Sequence, residues 1–245
     1  TSGGMTVIQI LKLLENKNLS QYEPLSVEAV QLFSQAAKLA YADRGKYMAD
    51  ADFVNVPVEG LINTEYLKER AALIDDKAMG RAGAGTPPNA DNNWKDAKSP
   101  EQPSTTHFSI IDKEGNGFSM TSSIEMAFGS TVMVNGYILN NQLTDFALSP
   151  KKDGKLLANR VEAGKRPRSS MSPHIVFAPD GEFLFTTGSP GGNSIIAYTA
   201  KSIVGMIDWG LSPQDAIDLP NVIARNGSLR MEAQNLRNAD TEEID

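Results

Sequence analysis

The amino-acid sequence predicts an α+β protein in which helices come first, hairpins follow, and further helices close the chain. Apolar residues recur every three to four positions near the start of the chain, which is the spacing of packed helices. From about residue 105 the pattern changes to the alternation typical of strands. Runs of strands beside runs of helices predict layers of the two kinds packed on each other.

The first two helices are predicted from buried faces and end signals. Residues 7–14 are apolar on most helical faces, so we expect a buried helix after a turn at residues 3–4. A second helix is expected to begin at Val27, with Ser26 as its N-cap, and to end near Gly45.

A third helix and a polar connector complete the first part of the chain. The helix is predicted over residues 63–75, with Asn63 or Thr64 as its cap. Residues 50–54 are predicted to be a solvated turn, because the ligand spacing of a calcium loop is missing. Residues 80–102 are rich in Gly, Pro, Asn and Asp, and we expect a mobile connector.

Turn signals divide the second half into hairpins and helices. The predicted elements are a hairpin over 106–120 turning at 114–117, a strand over 136–141, a hairpin over 175–187 turning at 179–181, a helix over 194–207 and a helix opening at residues 212–213.

Composition excludes several classes of function. The 245 residues carry a net charge of −7, which argues against a nucleic-acid surface. Cysteine is absent, so thiol catalysis and disulfides are excluded, and two histidines, His107 and His174, make a His-rich metal site improbable. We expect no metal and no cofactor.

Thr105 stands where the connector becomes the first strand. A Thr there can be an ordinary strand residue, because its β-branched side chain suits a pleated surface. It can also be a latent nucleophile, since a Thr released as an N-terminus carries both a hydroxyl and an amine that can act as its base. The local pattern alone leaves both interpretations open.

Two further clusters have both a local and a functional interpretation. Ser169 and Ser170 lie between prolines and can form a turn that bonds its own backbone. Gly191 and Gly192 join a strand to a helix, where they are either a tight connection or a pocket of backbone N–H groups for an anion.

Taken together and in order, these clusters resemble the γ-glutamyltranspeptidase family of N-terminal-nucleophile hydrolases. The match covers nearly the whole chain. The segments that carry it are Tyr41-Ala42-Asp43-Arg44, Thr105-Thr106-His107-Phe108-Ser109, Asn140-Asn141-Gln142-Leu143-Thr144-Asp145-Phe146, Lys165-Arg166-Pro167 with Ser169-Ser170-Met171-Ser172-Pro173, and Gly188-Ser189-Pro190-Gly191-Gly192.

The resemblance implies a precursor that cuts itself between Ser104 and Thr105. The new N-terminal Thr105 then attacks a γ-glutamyl carbonyl, and water or the amine of an amino acid or peptide resolves the acyl-enzyme. It also implies that Ser123 orients the nucleophile and that Gly191 and Gly192 form the oxyanion hole. The implied substrates are glutathione and related γ-glutamyl compounds.

The resemblance also implies how the glutamyl group is held. Its ammonium would be received by Asp145 and Gln142, with Glu125 nearby, and its carboxylate by the hydroxyls of Ser169 and Ser170. His107 is expected to pack or to bond the backbone. The resemblance implies a further carboxylate-binding Arg in the N-terminal part of the large subunit, upstream of this chain.

The implied fold is the four-layer αββα sandwich, preceded by a helical segment. Residues 1–79 would end the large subunit, 80–104 would be a flexible connector ending at the cut, and 105–245 would form a C-terminally incomplete small subunit. The partner would be the remainder of the large subunit, with no nucleic acid and no membrane span. Relatives of this kind place the protein in the periplasm or outside the cell.

Three alternatives stay open. The loop between Asp145 and Lys165 lacks the Tyr of members with a substrate-covering lid, so an open pocket could serve a poly-γ-glutamate hydrolase. A cephalosporin or glutaryl acylase could use the same nucleophile. An uncleaved, inactive relative would fold or bind without turnover.

Overall fold

The computed structural model describes residues 2–97 and 104–232. The expected connector residues 98–103 and the end of the chain from 233 lie outside the described residues. The described part contains helices and strands, as an α+β chain requires. The helices are α1 (Ser2–Glu15), α2 (Val27–Tyr47), α3 (Val58–Leu61), α4 (Thr64–Ala71), α5 (Ile195–Ile207) and α6 (Pro213–Asp218).

The strands pair as antiparallel two-stranded sheets. They are β1 (Thr105–Ile111) with β2 (Gly117–Ser123), β3 (Met133–Val134) with β4 (Tyr137–Ile138), β5 (Lys151–Lys152) with β6 (Lys155–Leu156), β7 (His174–Phe177) with β8 (Phe183–Thr187), and β9 (Val222–Ile223) with β10 (Arg230–Met231). The two longest hairpins, β1–β2 and β7–β8, lie side by side. The Ser119 Oγ of β2 donates a hydrogen bond to the Thr187 carbonyl of β8 at 3.2 Å.

Helix caps form where the sequence predicts them. The Ser26 Oγ accepts the Ala29 N–H at 3.2 Å, and the Asn63 Oδ1 accepts the Tyr66 N–H at 3.1 Å. The Ser212 Oγ accepts the Asp215 N–H at 3.2 Å at the start of α6. Each cap satisfies an N–H that has no partner within the helix.

Three predicted boundaries were wrong. Gly3 lies inside α1 and not in a turn, because a Cβ there would stand 2.3 Å from the Ser170 carbonyl oxygen and only glycine lets the helix come so close. The helix α4 ends at Ala71, four residues early. The strand predicted over 136–141 is reduced to Tyr137–Ile138, since the following backbone turns into a 3₁₀ helix.

The largest core joins α1, α2, α4 and α5. Val7, Ile10, Ala40, Ile196 and Ala200 are all fully buried in it. It attaches α5, which follows the glycine cluster, to the helices of the first third of the chain.

Asp43 is the centre of a buried polar network beside this core. It is fully buried, forms an ion pair with Arg70 at 3.1 Å, and accepts hydrogen bonds from Tyr66 and Gln9 at 2.7 Å. Burial raises the pKa of Asp43, while Arg70 and the hydrogen bonds act in the opposite direction. The Gly85 N–H also donates to Asp43 at 2.8 Å, which ties residues of the connector to α2.

Within residues 2–97 and 104–232, no helix combines the length and the apolar character that crossing a membrane requires.

Candidate active site

A small cavity opens at the first residue of β1, and it gathers almost every residue that the sequence analysis selected. Of those residues, Ser104 and Gly191 do not line it, but each immediately precedes a residue that does. The lining residues are Thr105, Ser123, Glu125, Gln142, Asp145, Ser169, Ser170, Met171, Gly192 and Ile195.

Thr105 and Ser123 face each other at the open end of the first hairpin. Thr105 is the first residue of β1 and pairs in register with Ser123, the last residue of β2. Side chains of directly opposite residues begin about 5 Å apart, so the two hydroxyl groups share one end of the sheet. The Ser104 hydroxyl donates to the Glu125 carbonyl, which positions the residue before Thr105 beside the same cavity.

Glu125 holds a backbone conformation that is rare for a residue with a side chain. Its φ is +74°, in the left-handed region. Its N–H donates to the Ser123 Oγ at 2.9 Å. Strained residues of this kind concentrate at functional sites, and here the conformation keeps the Glu125 side chain buried at the cavity with 4% exposure.

One wall of the cavity is acidic, and we call Glu125, Gln142 and Asp145 the carboxylate wall. Asp145 is also 4% exposed. The Gln142 Nε2 donates to the Glu125 Oε2 at 3.2 Å, and the Thr144 hydroxyl lies 3.5 Å from the Oε1. Among the described residues, none donates a hydrogen bond to the buried Gln142 Oε1. This wall therefore presents oxygen acceptors to a positively charged group.

Two asparagine side chains hold the backbone of the carboxylate wall in place by hydrogen bonds to Gln142 and Asp145. The Asn140 Oδ1 accepts the Gln142 N–H at 3.0 Å and so begins the 3₁₀ turn of Gln142–Asp145. The Asn159 Nδ2 donates to the Asp145 carbonyl at 2.8 Å.

The same cavity is also lined by hydroxyl groups, and we call Ser169 and Ser170 the hydroxyl wall. The Ser169 Oγ accepts the Met171 N–H at 3.1 Å, which is the local turn that the sequence also allowed. The start of α1 holds this loop, since the Gly3 N–H and the Ser2 hydroxyl donate to the Ser169 carbonyl at 3.0 and 2.6 Å. The Ser170 Oγ accepts a hydrogen bond from the Arg44 Nη2 at 2.8 Å.

Arginines fasten the hydroxyl wall to α2 and its C-terminal turn. The Arg168 guanidinium donates to the carbonyls of Arg44 at 3.1 Å and Ala97 at 2.7 Å. Arg166 forms an ion pair with Asp50 at 2.6 Å.

The prediction of a solvated turn at residues 50–54 was wrong for Asp50, whose side chain is buried. The Arg166 guanidinium holds the pKa of the Asp50 carboxyl well below its usual range.

The two glycines adopt the backbone that their sequence position suggested. Gly191 has a φ of +131°, and a Cβ on it would stand 2.6 Å from a ring carbon of Tyr198. Gly192 has a φ of +54° and begins a 3₁₀ turn that continues into α5. Backbone N–H groups at such a helix start suit an anionic oxygen, and the oxyanion-hole assignment stays a prediction.

His107 does not line the cavity. Its Nδ1 lies 2.9 Å from the Thr121 Oγ1, and its Nε2 lies 3.1 Å from the Ser109 Oγ. The ring packs on Gly188, where a Cβ would stand 2.3 Å from the Cε1. Burial lowers the pKa of His107. A packing role agrees with this geometry, although the hydrogen bonds go to hydroxyl groups and not to the backbone.

Tyr41 and Arg44 support the site from α2, and the sequence indicates them only as part of the segment that resembles the family. In the fold they lie one turn apart on α2, and Tyr41 donates its hydroxyl proton to the Asn193 carbonyl at 2.6 Å while Arg44 bonds Ser170. The sequence signal that could have indicated them is their spacing of three residues on a buried helix, which places both side chains on the same face.

Comparison with known proteins gives a consistent result. The model of the family described as Gamma-glutamyltranspeptidase matches residues 1–244. The chain is 41% identical over 237 residues to the glutathione hydrolase proenzyme of Bacillus subtilis (strain 168), covering 93% of this chain and 39% of that protein. It is 38% identical over 228 residues to the glutathione hydrolase proenzyme of Escherichia coli (strain K12), covering 90% of this chain and 38% of that protein.

A solved structure extends the similarity to the three-dimensional fold. The chain is similar to cephalosporin acylase from Bacillus halodurans with a TM-score of 0.70 and 26% identity, over 90% of this chain and 37% of that one. The chain thus spans about two-fifths of the length of the curated relatives that it matches.

Proposed function

Because the chain belongs to the gamma-glutamyltranspeptidase family, we propose that the full-length protein transfers or hydrolyses γ-glutamyl groups with Thr105 as its nucleophile. The observation that carries this proposal is that Thr105 and Ser123 line the same cavity as the carboxylate wall and the hydroxyl wall. A γ-glutamyl group has an ammonium and a carboxylate on one carbon, and the two walls offer partners for both.

The first step is self-cleavage before Thr105. The Thr105 Oγ attacks the Ser104 carbonyl carbon, the C–N bond breaks, and the hydroxyl proton passes to the departing nitrogen. Water then hydrolyses the resulting ester, which leaves Ser104 as a carboxylate and Thr105 with a free hydroxyl and a free α-amine. The hydrogen bond from Ser104 to the Glu125 carbonyl would hold the bond to be cut beside the hydroxyl.

Turnover uses the amine that the cut creates. The Thr105 amine takes the hydroxyl proton, and the Oγ attacks the γ-carbonyl of the substrate. The N–H groups of Gly191 and Gly192 stabilise the charge on the carbonyl oxygen, and Ser123 orients the nucleophile. The proton passes to the leaving amine, and water or the amine of an amino acid or peptide then releases the γ-glutamyl group from Thr105.

Recognition follows from the chemistry of the walls. The substrate ammonium is received by Asp145 and the Gln142 Oε1, with Glu125 beside them. Ser169 and Ser170 donate their hydroxyl protons to the substrate carboxylate.

The finer architecture belongs to the same proposal. The hairpins β1–β2 and β7–β8 would form part of a four-layer αββα sandwich. Residues 1–79 would end the large subunit, 80–104 would be the connector, and 105–245 would belong to the small subunit, which pairs with the remaining large subunit. A periplasmic or extracellular location is expected, and fractionation of the source cells tests it.

An acylase acting on cephalosporin or glutaryl amides is the second candidate. It is supported by the similarity to cephalosporin acylase at a TM-score of 0.70. A glutaryl group has the carboxylate but lacks the ammonium, so it would bring no positive charge to the carboxylate wall. Two buried carboxylates on that wall therefore favour the γ-glutamyl substrate. Poly-γ-glutamate retains the γ-glutamyl linkage and is the third substrate to compare.

Competition between substrates tests the proposal. We expect the full-length protein to cleave γ-glutamyl-p-nitroanilide with a kcat/KM at least tenfold above that for glutaryl-p-nitroanilide, estimated from one charged hydrogen bond of about 1.5 kcal/mol or more. Thr105→Ala should abolish both activities, and Thr106→Ala, which changes the exposed neighbour, should preserve them. A preference for the glutaryl substrate would replace this proposal with the acylase, and no cleavage of any substrate would indicate an inactive relative.

A further inference from the structure

We infer that Arg44 is a positioning residue for substrate recognition, which makes the Ser170 hydroxyl a dedicated hydrogen-bond donor to the substrate carboxylate. The inference rests on the proposed function and deepens it. It assigns a specificity role to α2, a helix that contributes no side chain to the lining of the cavity.

The direction of the hydrogen bond between Arg44 and Ser170 follows from chemistry. A guanidinium group has only N–H donors, so in the 2.8 Å contact the Arg44 Nη2 donates and the Ser170 Oγ accepts. The single hydrogen of the Ser170 hydroxyl is then directed away from Arg44. Since Ser170 lines the cavity, this hydrogen is available to a carboxylate there.

Burial strengthens the hydrogen bond between Arg44 and Ser170. Arg44 is 3% exposed and Ser170 is 2% exposed, so bulk water does not compete for this hydrogen bond. A hydroxyl that accepts a hydrogen bond from a cation is polarised, and it becomes a better donor to an anion. Because Arg44 contacts Ser170, its positive charge also lies close to the position proposed for the substrate carboxylate.

The main chain around Arg44 is held on several sides. The Arg168 Nη1 donates to the Arg44 carbonyl at 3.1 Å. Tyr41, one turn earlier, donates its hydroxyl proton to the Asn193 carbonyl at 2.6 Å. The preceding residue, Asp43, points to a different partner and forms an ion pair with Arg70. Arg44 is therefore fixed relative to the hydroxyl wall and to the loop that contains Gly192.

A positioning role of this kind predicts a substrate-dependent effect. Loss of the Arg44 hydrogen bond lets the Ser170 hydroxyl rotate and removes a nearby positive charge, so binding of a carboxylate weakens. A substrate without the carboxylate does not use Ser170 and should be unaffected. A purely structural role would reduce both activities alike.

The test compares γ-glutamyl-p-nitroanilide with 4-aminobutanoyl-p-nitroanilide, which has the ammonium but no α-carboxylate. It uses the full-length protein and the variants Arg44→Met, Ser170→Ala and the double variant. We expect Arg44→Met to raise KM for the γ-glutamyl substrate about tenfold with kcat within about twofold, as for loss of one charged hydrogen bond. The kcat/KM for the 4-aminobutanoyl substrate should stay within about twofold. The double variant should be no worse than Ser170→Ala, since both changes remove one interaction.

Arg44→Gln is the second variant in case Arg44→Met does not fold. It lacks the charge and has a shorter reach, and we expect at least a threefold rise in KM for the γ-glutamyl substrate alone. Equal losses on both substrates, or additive losses with Ser170→Ala, would overturn the inference. If the unmodified protein cleaves no γ-glutamyl substrate, the proposed function fails, and this inference fails with it.

Discussion

The two walls of the candidate site differ both in their chemistry and in how the fold supports them. The carboxylate wall lies between β2 and the 3₁₀ turn of Gln142–Asp145, and residues close in sequence hold it together. The hydroxyl wall is held from far away along the chain, by Arg44 and by the first residues of α1. A cut between Ser104 and Thr105 would therefore leave the carboxylate wall within one subunit. The hydroxyl wall would depend on residues of both subunits.

This difference separates two kinds of substrate contact. An ammonium group would meet side chains that belong to the same polypeptide as Thr105. A carboxylate would meet hydroxyls whose orientation depends on α2 and α1. Recognition of the carboxylate should thus be the more sensitive of the two to changes that lie outside the cavity.

Asp145→Asn should have the largest effect of the wall variants. It removes a buried charge from the carboxylate wall, and the loss of one charged hydrogen bond corresponds to a fall of about 30- to 100-fold in kcat/KM for γ-glutamyl-p-nitroanilide. Cleavage of glutaryl-p-nitroanilide should be unchanged or faster, because that substrate has no ammonium. The exposed Asp153→Asn is the matched control, and equal losses on both substrates would show that Asp145 does not recognise the ammonium.

Ser169→Ala should have a smaller effect and the opposite selectivity. We expect about a tenfold fall in kcat/KM for both the γ-glutamyl and the glutaryl substrate, since both contain the carboxylate. The 4-aminobutanoyl substrate should lose less than about twofold. Steady-state kinetics on the three anilides measures this, with the exposed Ser149→Ala as control; a loss on the 4-aminobutanoyl substrate alone would reverse the assignment of the walls.

Tyr41→Phe should have the smallest effect and no selectivity between the walls. It removes the 2.6 Å hydrogen bond to the Asn193 carbonyl, next to Gly192 in the proposed oxyanion hole. We expect kcat to fall about threefold on every substrate with KM unchanged, as for loss of a neutral hydrogen bond of about 0.6 kcal/mol. Tyr137→Phe, which changes a largely exposed ring, should have no effect. A change in KM for one substrate only would contradict this assignment.

Local sequence patterns predicted most of the helices and both long hairpins. The caps at Ser26 and Ser212 and the hairpin β1–β2 form as expected, because capping and alternation depend on residues within a few positions. The residues of the cavity were predicted because several short motifs match a family in the same order along the chain. The local pattern around Thr105 alone would have left it as an ordinary strand residue.

Contacts across long stretches of the chain could not be predicted. Ser170 lies 126 residues from Arg44, and Arg166 lies 116 residues from Asp50. A periodic pattern reports that a side chain is buried, but it does not identify the partner that the side chain meets. The same limit explains why Gly3 was assigned to a turn and not to a close approach between α1 and the hydroxyl wall.

The identity of the bond that is cut tests the central claim most directly. Intact mass measurement and N-terminal sequencing of the full-length protein should find two polypeptides, the smaller of which begins at Thr105. Thr105→Ala should remain a single chain, because it has no hydroxyl to attack the Ser104 carbonyl. A single uncut chain in the unmodified protein, or a smaller polypeptide that begins at another residue, would contradict the assignment of Thr105 as the nucleophile.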